Sequence, residues 1–269
     1  MIKVGCNYLS LPEMDIETFI RTSYELRLDV IDFHMRAFAS NDPQYLLGIK
    51  RMCLDCGLPI GYMGVSTSFI GDEEKLRAEV EKAKQGVDLA AFVGAPLIRV
   101  FAGYVPPEVK DRAPLWPPLI RCLQEAAEYG AQKGVIVALQ NHDNSNLAAT
   151  GDDALRILRE TNHPNFSFIL DTGQWTGSPG ANRDRRSNPN FDIYHFIEQT
   201  APHACYVRTK FYDVSSGSEK YLDYDRIFAV LKGVAFNGNL SIVYEGEGDH
   251  LDAVKKAAAC LRRLLSLYF

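Results

Sequence analysis

The chain has 269 residues, 46% hydrophobic and 23% charged, a balance that suits one large globular domain over residues 1–269 and excludes a disordered or fibrous chain. A formal net charge of −5 supplies no global basic field for a phosphate backbone, so nucleic acid is not an expected partner. No segment approaches the roughly 20 apolar residues of a membrane span, and the first strand opens at Ile2 without a basic leader, so the expectation is a cytoplasmic protein with no membrane partner.

Along the chain, short β-branched runs alternate with longer amphipathic segments, the pattern of parallel strands joined by crossover helices. The spacing predicts strands at Lys3 to Asn7, Val30 to His34, Ile60 to Val65, Leu97 to Phe101, Val135 to Gln140, Phe166 to Asp171, Ala204 to Lys210 and Leu240 to Glu245, with helices between them. Asp42 before Pro43, and Asp72 before Glu73 and Glu74, mark helix starts. Gly57, Gly94, Gly130 and Gly134 mark stops or turns. Leu76, Val80, Ala83 and Val87 recur at helical spacing, and so do Val254, Ala257, Ala258, Leu261, Leu264 and Leu265. The six cysteines, Cys6, Cys53, Cys56, Cys122, Cys205 and Cys260, are scattered as buried packing residues would be, with no disulfides expected. The Cys53-x-x-Cys56 pair falls inside a predicted helix with no second pair for zinc.

Eight alternations without a long hairpin favour a closed α/β barrel of (β/α)8 type over an open sheet. No Gly-x-Gly-x-x-Gly follows the first strand and no Walker-type loop is present. In such a barrel the site is built at the C-terminal strand ends. There the sequence places Asp32, His34 and Arg36 on strand two, Arg99 and Phe101 on strand four, and Gln140, Asn141 and His142 on strand five. Asp171 and Trp175 follow strand six, Arg208 and Lys210 lie on strand seven, and Glu245 and Glu247 follow strand eight.

Side chains alternate along a strand, so Gln140 shares a face with His142, Arg208 with Lys210, and Val243 with Glu245. Asp171, Glu245, Gln140 and His142 offer oxygen and imidazole donors to a divalent ion, manganese, magnesium, zinc or cobalt. Lys210 and Arg208 offer positive charge to a substrate oxyanion. Two inward cations must meet carboxylates or a bound anion, so an internal salt bridge to Asp171 and Glu245 is the competing reading. Trp175 and Phe101 fit a carbohydrate stacking platform or ordinary core packing. The mixed-charge run Asn182-Arg-Asp-Arg-Arg-Ser187 reads as a solvated loop, with closure over an anionic substrate as the alternative.

The segments Val137-Ala-Leu-Gln-Asn-His142, Ile169-Leu-Asp-Thr-Gly173, Tyr206-Val-Arg-Thr-Lys210 and Ser241-Ile-Val-Tyr-Glu-Gly246 resemble the xylose isomerase-like TIM barrels of sugar isomerases and epimerases, a family that includes an endonuclease branch. The resemblance spans nearly the whole chain. It implies a metal-binding Glu before Asn-His on strand five, an Asp before Thr-Gly on strand six, a His two residues before Lys on strand seven, and a Glu on strand eight. Asp171 matches, whereas Gln140 stands for the first Glu and Arg208 for the His, and the strand-eight Glu aligns with either Val243 or Glu245. A Gln oxygen ligates a hard cation without adding charge, and an Arg cannot ligate one.

What the resemblance implies is an isomerase or epimerase of a sugar or keto-sugar, working by proton abstraction next to a carbonyl. Glu245 or His142 would take the proton, and Lys210 or a metal at Asp171 would stabilise the enediolate. His34, Arg36, Arg99, Asn141, Arg208, Trp175 and Glu247 are the expected contacts to a small carbohydrate. The alternatives are a lyase on a keto-glycoside using the same parts, a non-catalytic sugar-binding barrel with a degenerate metal site, and an endonuclease-type metal-dependent phosphodiesterase. The last needs many His ligands, yet His163, His195, His203 and His250 fall away from strand ends. A homo-oligomer is left open.

Overall fold

The computed structural model describes residues 1–143, 145–181 and 185–269. Eight parallel strands close in sequence order into a barrel, each followed by a helix on the outside. The pairs are β1 (Lys3–Asn7) and α1 (Ile16–Glu25), β2 (Val30–His34) and α2 (Pro43–Asp55), β3 (Ile60–Gly64) and α3 (Glu73–Val93), and β4 (Leu97–Val100) and α4 (Trp116–Lys133). The second half comprises β5 (Ile136–Gln140) and α5 (Gly151–Thr161), β6 (Phe166–Asp171) and α6 (Ile193–Thr200), β7 (Ala204–Phe211) and α7 (Tyr224–Gly233), and β8 (Asn239–Tyr244) and α8 (His250–Tyr268). The expected (β/α)8 barrel is therefore observed, with β1 and β8 joined through Gly5 and Ser241.

Local chemistry explains why the helices start where they do. Asp15, Asp42, Asp72, Thr150, Asp192, Asp223 and Asp249 each accept a first-turn N–H with their side chain, a contact worth about 1 kcal/mol per helix. Only α4 lacks such a cap, and it starts instead on a proline-bearing turn, Trp116-Pro117-Pro118. Gly94 and Gly134 end α3 and α4 in the left-handed region at φ 90° and 70°, a conformation glycine adopts without a Cβ clash.

Alternation divides each strand between two environments. Ile31, Phe33, Ile98, Val100, Leu139, Leu170 and Val207 face the helices and belong to the main core. The inward residues form a second, smaller apolar cluster of Tyr62, Leu97, Ala138, Ile169 and Tyr206. Above and beside this cluster the barrel interior is polar. Asp32 is fully buried and accepts hydrogen bonds from Tyr206 Oη at 2.7 Å, from Tyr62 N at 3.2 Å and from Ser241 Oγ. Gly61 leaves the space this group needs, since a Cβ there would collide with Tyr206 Oη and Asp32.

Burial pushes the Asp32 carboxyl up from 3.8 to about 7, against the lowering influence of Ser241, Tyr206, Arg208 and the Tyr62 N–H. Between those pH values the folded chain retains a proton that the unfolded chain has released. The stability from this group is thus complete below pH 3.8 and is lost as pH rises through about 7. In urea denaturation, the native protein should lose a few kcal/mol across this interval that Asp32→Asn does not lose. Parallel stability profiles for the two proteins would contradict this assignment.

Candidate functional site

The strand ends open on a cavity of about 340 Å³, near the lower bound of the roughly 300–1,000 Å³ usual for small-ligand pockets. It gathers His34 and Arg36 from β2 and its turn, Arg99 of β4 and Phe101 just after it, and Gln140 of β5 and His142 just after it. Arg208 and Lys210 of β7 and Glu245 after β8 complete the polar lining. Nine of the residues singled out in the sequence thus converge on one space. Tyr8, Leu9, Ala37, Ser66 and Gln174 also line it. These are uncharged residues just past strand ends, and only their position after β1, β2, β3 and β6 signals them.

Asp171 lies beneath the cavity, with no solvent exposure. Its Oδ2 accepts from Arg208 Nε at 3.0 Å and from Gln140 Nε2 at 3.2 Å, and Lys210 Nζ stands 3.6 Å away. Its Oδ1 accepts from Gly173 N at 3.1 Å. Arg208 also donates to Tyr62 Oη, which accepts from Asn7 Nδ2 at 2.9 Å. Burial works against the Arg208 charge, but Tyr62 and Asp171 more than offset it and hold the guanidinium above its usual range.

Lys210, 1% exposed, joins this buried pair to the cavity through Glu245 Oε1 at 2.6 Å. The Glu245 side chain is 42% exposed. Partial burial tends to raise its carboxyl, and Lys210, Arg208 and His142 outweigh that and lower it. The Gln174 amide satisfies both its ends when its oxygen accepts from Lys210 Nζ at 3.2 Å and its nitrogen donates to Asp143 at 3.0 Å. Arg185, in the loop after β6, donates to the Glu245 carbonyl at 2.9 Å and stacks over Tyr212. Asn182, Arg183 and Asp184 of that loop, and Asn144, lie outside the described residues.

On the opposite wall, His142 stands edge-on to Phe101 and Tyr104, with Nδ1 3.0 Å from Asp143. His34 is pushed down to about 3 by burial and by the charges of Arg99, Arg36 and Arg208, so its ring is neutral. The Arg36 backbone N–H donates to His34 Nδ1 at 3.1 Å. The ring proton is therefore on Nε2, which donates to Ser66 Oγ at 2.9 Å.

Three expected contacts do not reach the cavity. Trp175 is fully buried and packs against Phe168 and Phe196, so it is a core residue and not a stacking platform. Asn141 points away from the cavity and clamps the β6 end, donating to the Asp171 and Gln174 carbonyls at 2.9 and 2.8 Å and accepting from Asp171 N at 2.8 Å. It is a positioning residue for Asp171. Glu247 is exposed beyond the end of β8 and does not line the cavity, although its carbonyl receives Tyr244 Oη. Phe101, the other aromatic expected to stack, does line it, beneath the Arg99 guanidinium.

Residues 25–264 match the sequence profile of the xylose isomerase-like TIM barrel family. The chain belongs to that family. Among curated protein sequences none matches it. Several solved structures share the fold. An L-ribulose 3-epimerase superposes with a TM-score of 0.81 at 18% identity, over 100% of this chain and 96% of its own. A D-psicose 3-epimerase from Clostridium cellulolyticum H10, determined with D-tagatose, gives 0.79 at 15% over 97% and 98%. A 3-keto-D-glucoside 4-epimerase from E. coli gives 0.73 at 15% over 99% and 100%.

The family's ligand pattern can be tested against these positions. Both Asp171 oxygens are engaged by N–H donors, and a guanidinium fills the space beside them. Gln140 has given its amide nitrogen to Asp171, leaving one neutral oxygen, Oε1, without a partner. Val243, paired in register with Lys210, brings no donor, and Glu245 lies two residues further on in the Lys210 pair. Among the described residues no group of three or more His, Cys, Asp or Glu is arranged to hold a metal. His163 and His250 are engaged elsewhere, with Glu128 and the Ser10 carbonyl, which also leaves the endonuclease pattern without its ligands there. The donors present do not fit a divalent ion, because Asp171, the carboxylate at the family's ligand position, is already neutralised by a cation of the chain itself.

Removing that carboxylate should leave the Arg208 charge buried and uncompensated. Asp171→Ala is expected to lose about 3–5 kcal/mol in urea denaturation, and a loss below about 1 kcal/mol would show that the pair is not a buried one. After incubation with excess manganese and desalting, elemental analysis should find well under one ion per chain. A stoichiometric ion that disappears in Asp171→Ala would overturn the reading of the donor set.

Proposed function

We propose that the chain is a sugar or keto-sugar isomerase or epimerase that moves a proton on the carbon next to a carbonyl, using charges of its own side chains. The observation that carries this is the placing of two proton-handling groups, Glu245 after β8 and His142 after β5, on a cavity that also holds Lys210 and Arg208. The three solved epimerases with this fold support a carbohydrate as the substrate class.

Glu245 is held in its ionised form by Lys210, so it is ready to accept a proton at neutral pH. As the proton leaves, charge develops on the substrate oxygen. Lys210 and Arg208 line the cavity, where their positive charge can stabilise that oxyanion. His142 returns a proton from the β5 side, which gives inversion, or Glu245 returns it to the former carbonyl carbon while the hydroxyl proton passes to the former carbonyl oxygen, which gives isomerisation. Gln140 Oε1 is free to accept from a substrate hydroxyl. One observation favours a second reading, a sugar-binding barrel without turnover: Gln140, unlike the Glu of the family pattern, cannot carry a proton.

Proton exchange separates the two readings. Incubated in D2O with a panel of ketoses, keto-sugars and their acid and phosphate derivatives, the protein should incorporate deuterium next to the carbonyl of at least one compound, read by NMR. Glu245→Gln should slow this by about 10²–10⁴-fold. Because the Glu245 carboxyl is lowered, the acid limb of its pH profile should fall below pH 4.5. Saturable binding of a sugar with no exchange would establish the binding barrel instead.

A further inference from the structure

The cations of the cavity divide into two sets. Arg208 and Lys210 are matched by Asp171 and Glu245. Among the described residues, Arg99 and Arg36, on the wall built by β2 to β4, have no carboxylate partner, and Glu245 is the only acidic residue lining the cavity. Arg99 is 4% exposed, and its Nε and Nη1 have no hydrogen-bond partner. Its guanidinium is seated rather than loose. It lies 4.1 Å over the Phe101 ring, and Gly64 of β3 makes room for it, since a Cβ there would come within 2.8 Å of Nη2.

A buried cation kept without a counter-charge is costly, and a bound anion is what removes that cost. Ser66 adds a donor to the same wall. Its Oγ accepts from His34 Nε2, so its own hydroxyl hydrogen is free to point into the cavity.

We propose that the sugar taken by this site carries an anionic group, a carboxylate or a phosphate ester, held by Arg99, Arg36 and the Ser66 hydroxyl, with the neutral end of the molecule toward Glu245 and Lys210. The orientation rests on the isomerase reading, whereas the anion preference does not. Arginine is suited to both groups because its planar fork matches their paired oxygens.

The test compares compounds of equal skeleton on the full chain by calorimetric titration: D-glucuronate against D-glucose, and D-fructose 6-phosphate against D-fructose. In at least one pair the acid should bind about tenfold or more tightly than its neutral partner, and the pair that shows this names the group. Arg99→Met and the rim variant Arg36→Gln should each bring the ratio of acid to neutral affinity close to one. Arg99→Met should also melt at a higher temperature than the native protein without ligand, as the unpaired charge is gone. Equal or tighter binding of the neutral sugars, no binding of either acid, or unaltered acid binding in both variants overturns the proposal. Acid preference without deuterium exchange sinks only the isomerase reading, and exchange on D-fructose without acid preference sinks only this one.

Discussion

The pairing of Arg208 with Asp171 inside the barrel is the constraint around which the strand ends are arranged. Two opposite charges with almost no access to water are tolerated only if their remaining hydrogen-bonding capacity is met. The neighbouring residues meet it. Gln140 and the Gly173 N–H complete the carboxylate, Tyr62 receives the guanidinium, and Asn141 fixes the backbone from which Asp171 projects. From Tyr62 the network continues to Asn7, and Arg208 adds its charge to the field at Asp32 deeper in the barrel. The interior of this barrel is thus a column of paired polar groups on an apolar base.

The column shapes the cavity above it. Lys210 is shared between the buried Asp171 and the half-exposed Glu245, so the charge at the mouth is coupled to the charge below. The β7 and β8 side is balanced, while the β2 to β4 side holds a surplus of positive charge that adds to burial in keeping His34 neutral. A polar molecule entering this space meets a different field at each end, which gives the cavity a direction.

Much of this was legible before any coordinates. The strand positions agree with the sequence expectation to within one residue, because β-branched runs, aspartate caps and glycine stops are local signals. Gln140, His142, Arg208, Lys210 and Glu245 were brought together by two general rules, the alternation of side chains and the location of barrel sites at strand ends. Trp175 and Glu247 escaped these rules because alternation ends with the strand. After Asp171 the chain turns and carries Trp175 outward beneath Phe196, and past Tyr244 it leaves Glu247 in solvent. Asn141, just past the end of β5, points away from the cavity between its two lining neighbours, Gln140 and His142. The balance between a metal and a salt bridge depended on side-chain geometry, since the same Asp171 serves either arrangement.

A guanidinium on the chain differs from an ion at the same place in how it comes and goes. It is present at full occupancy whenever β7 is folded, it cannot be stripped by chelators or starved by a cell short of manganese or zinc, and no wrong metal can replace it. Its charge is single and its N–H groups are directional, so what it gains in constancy it gives up in field strength. The pairing of Arg208 with Asp171 is therefore assembled by folding alone.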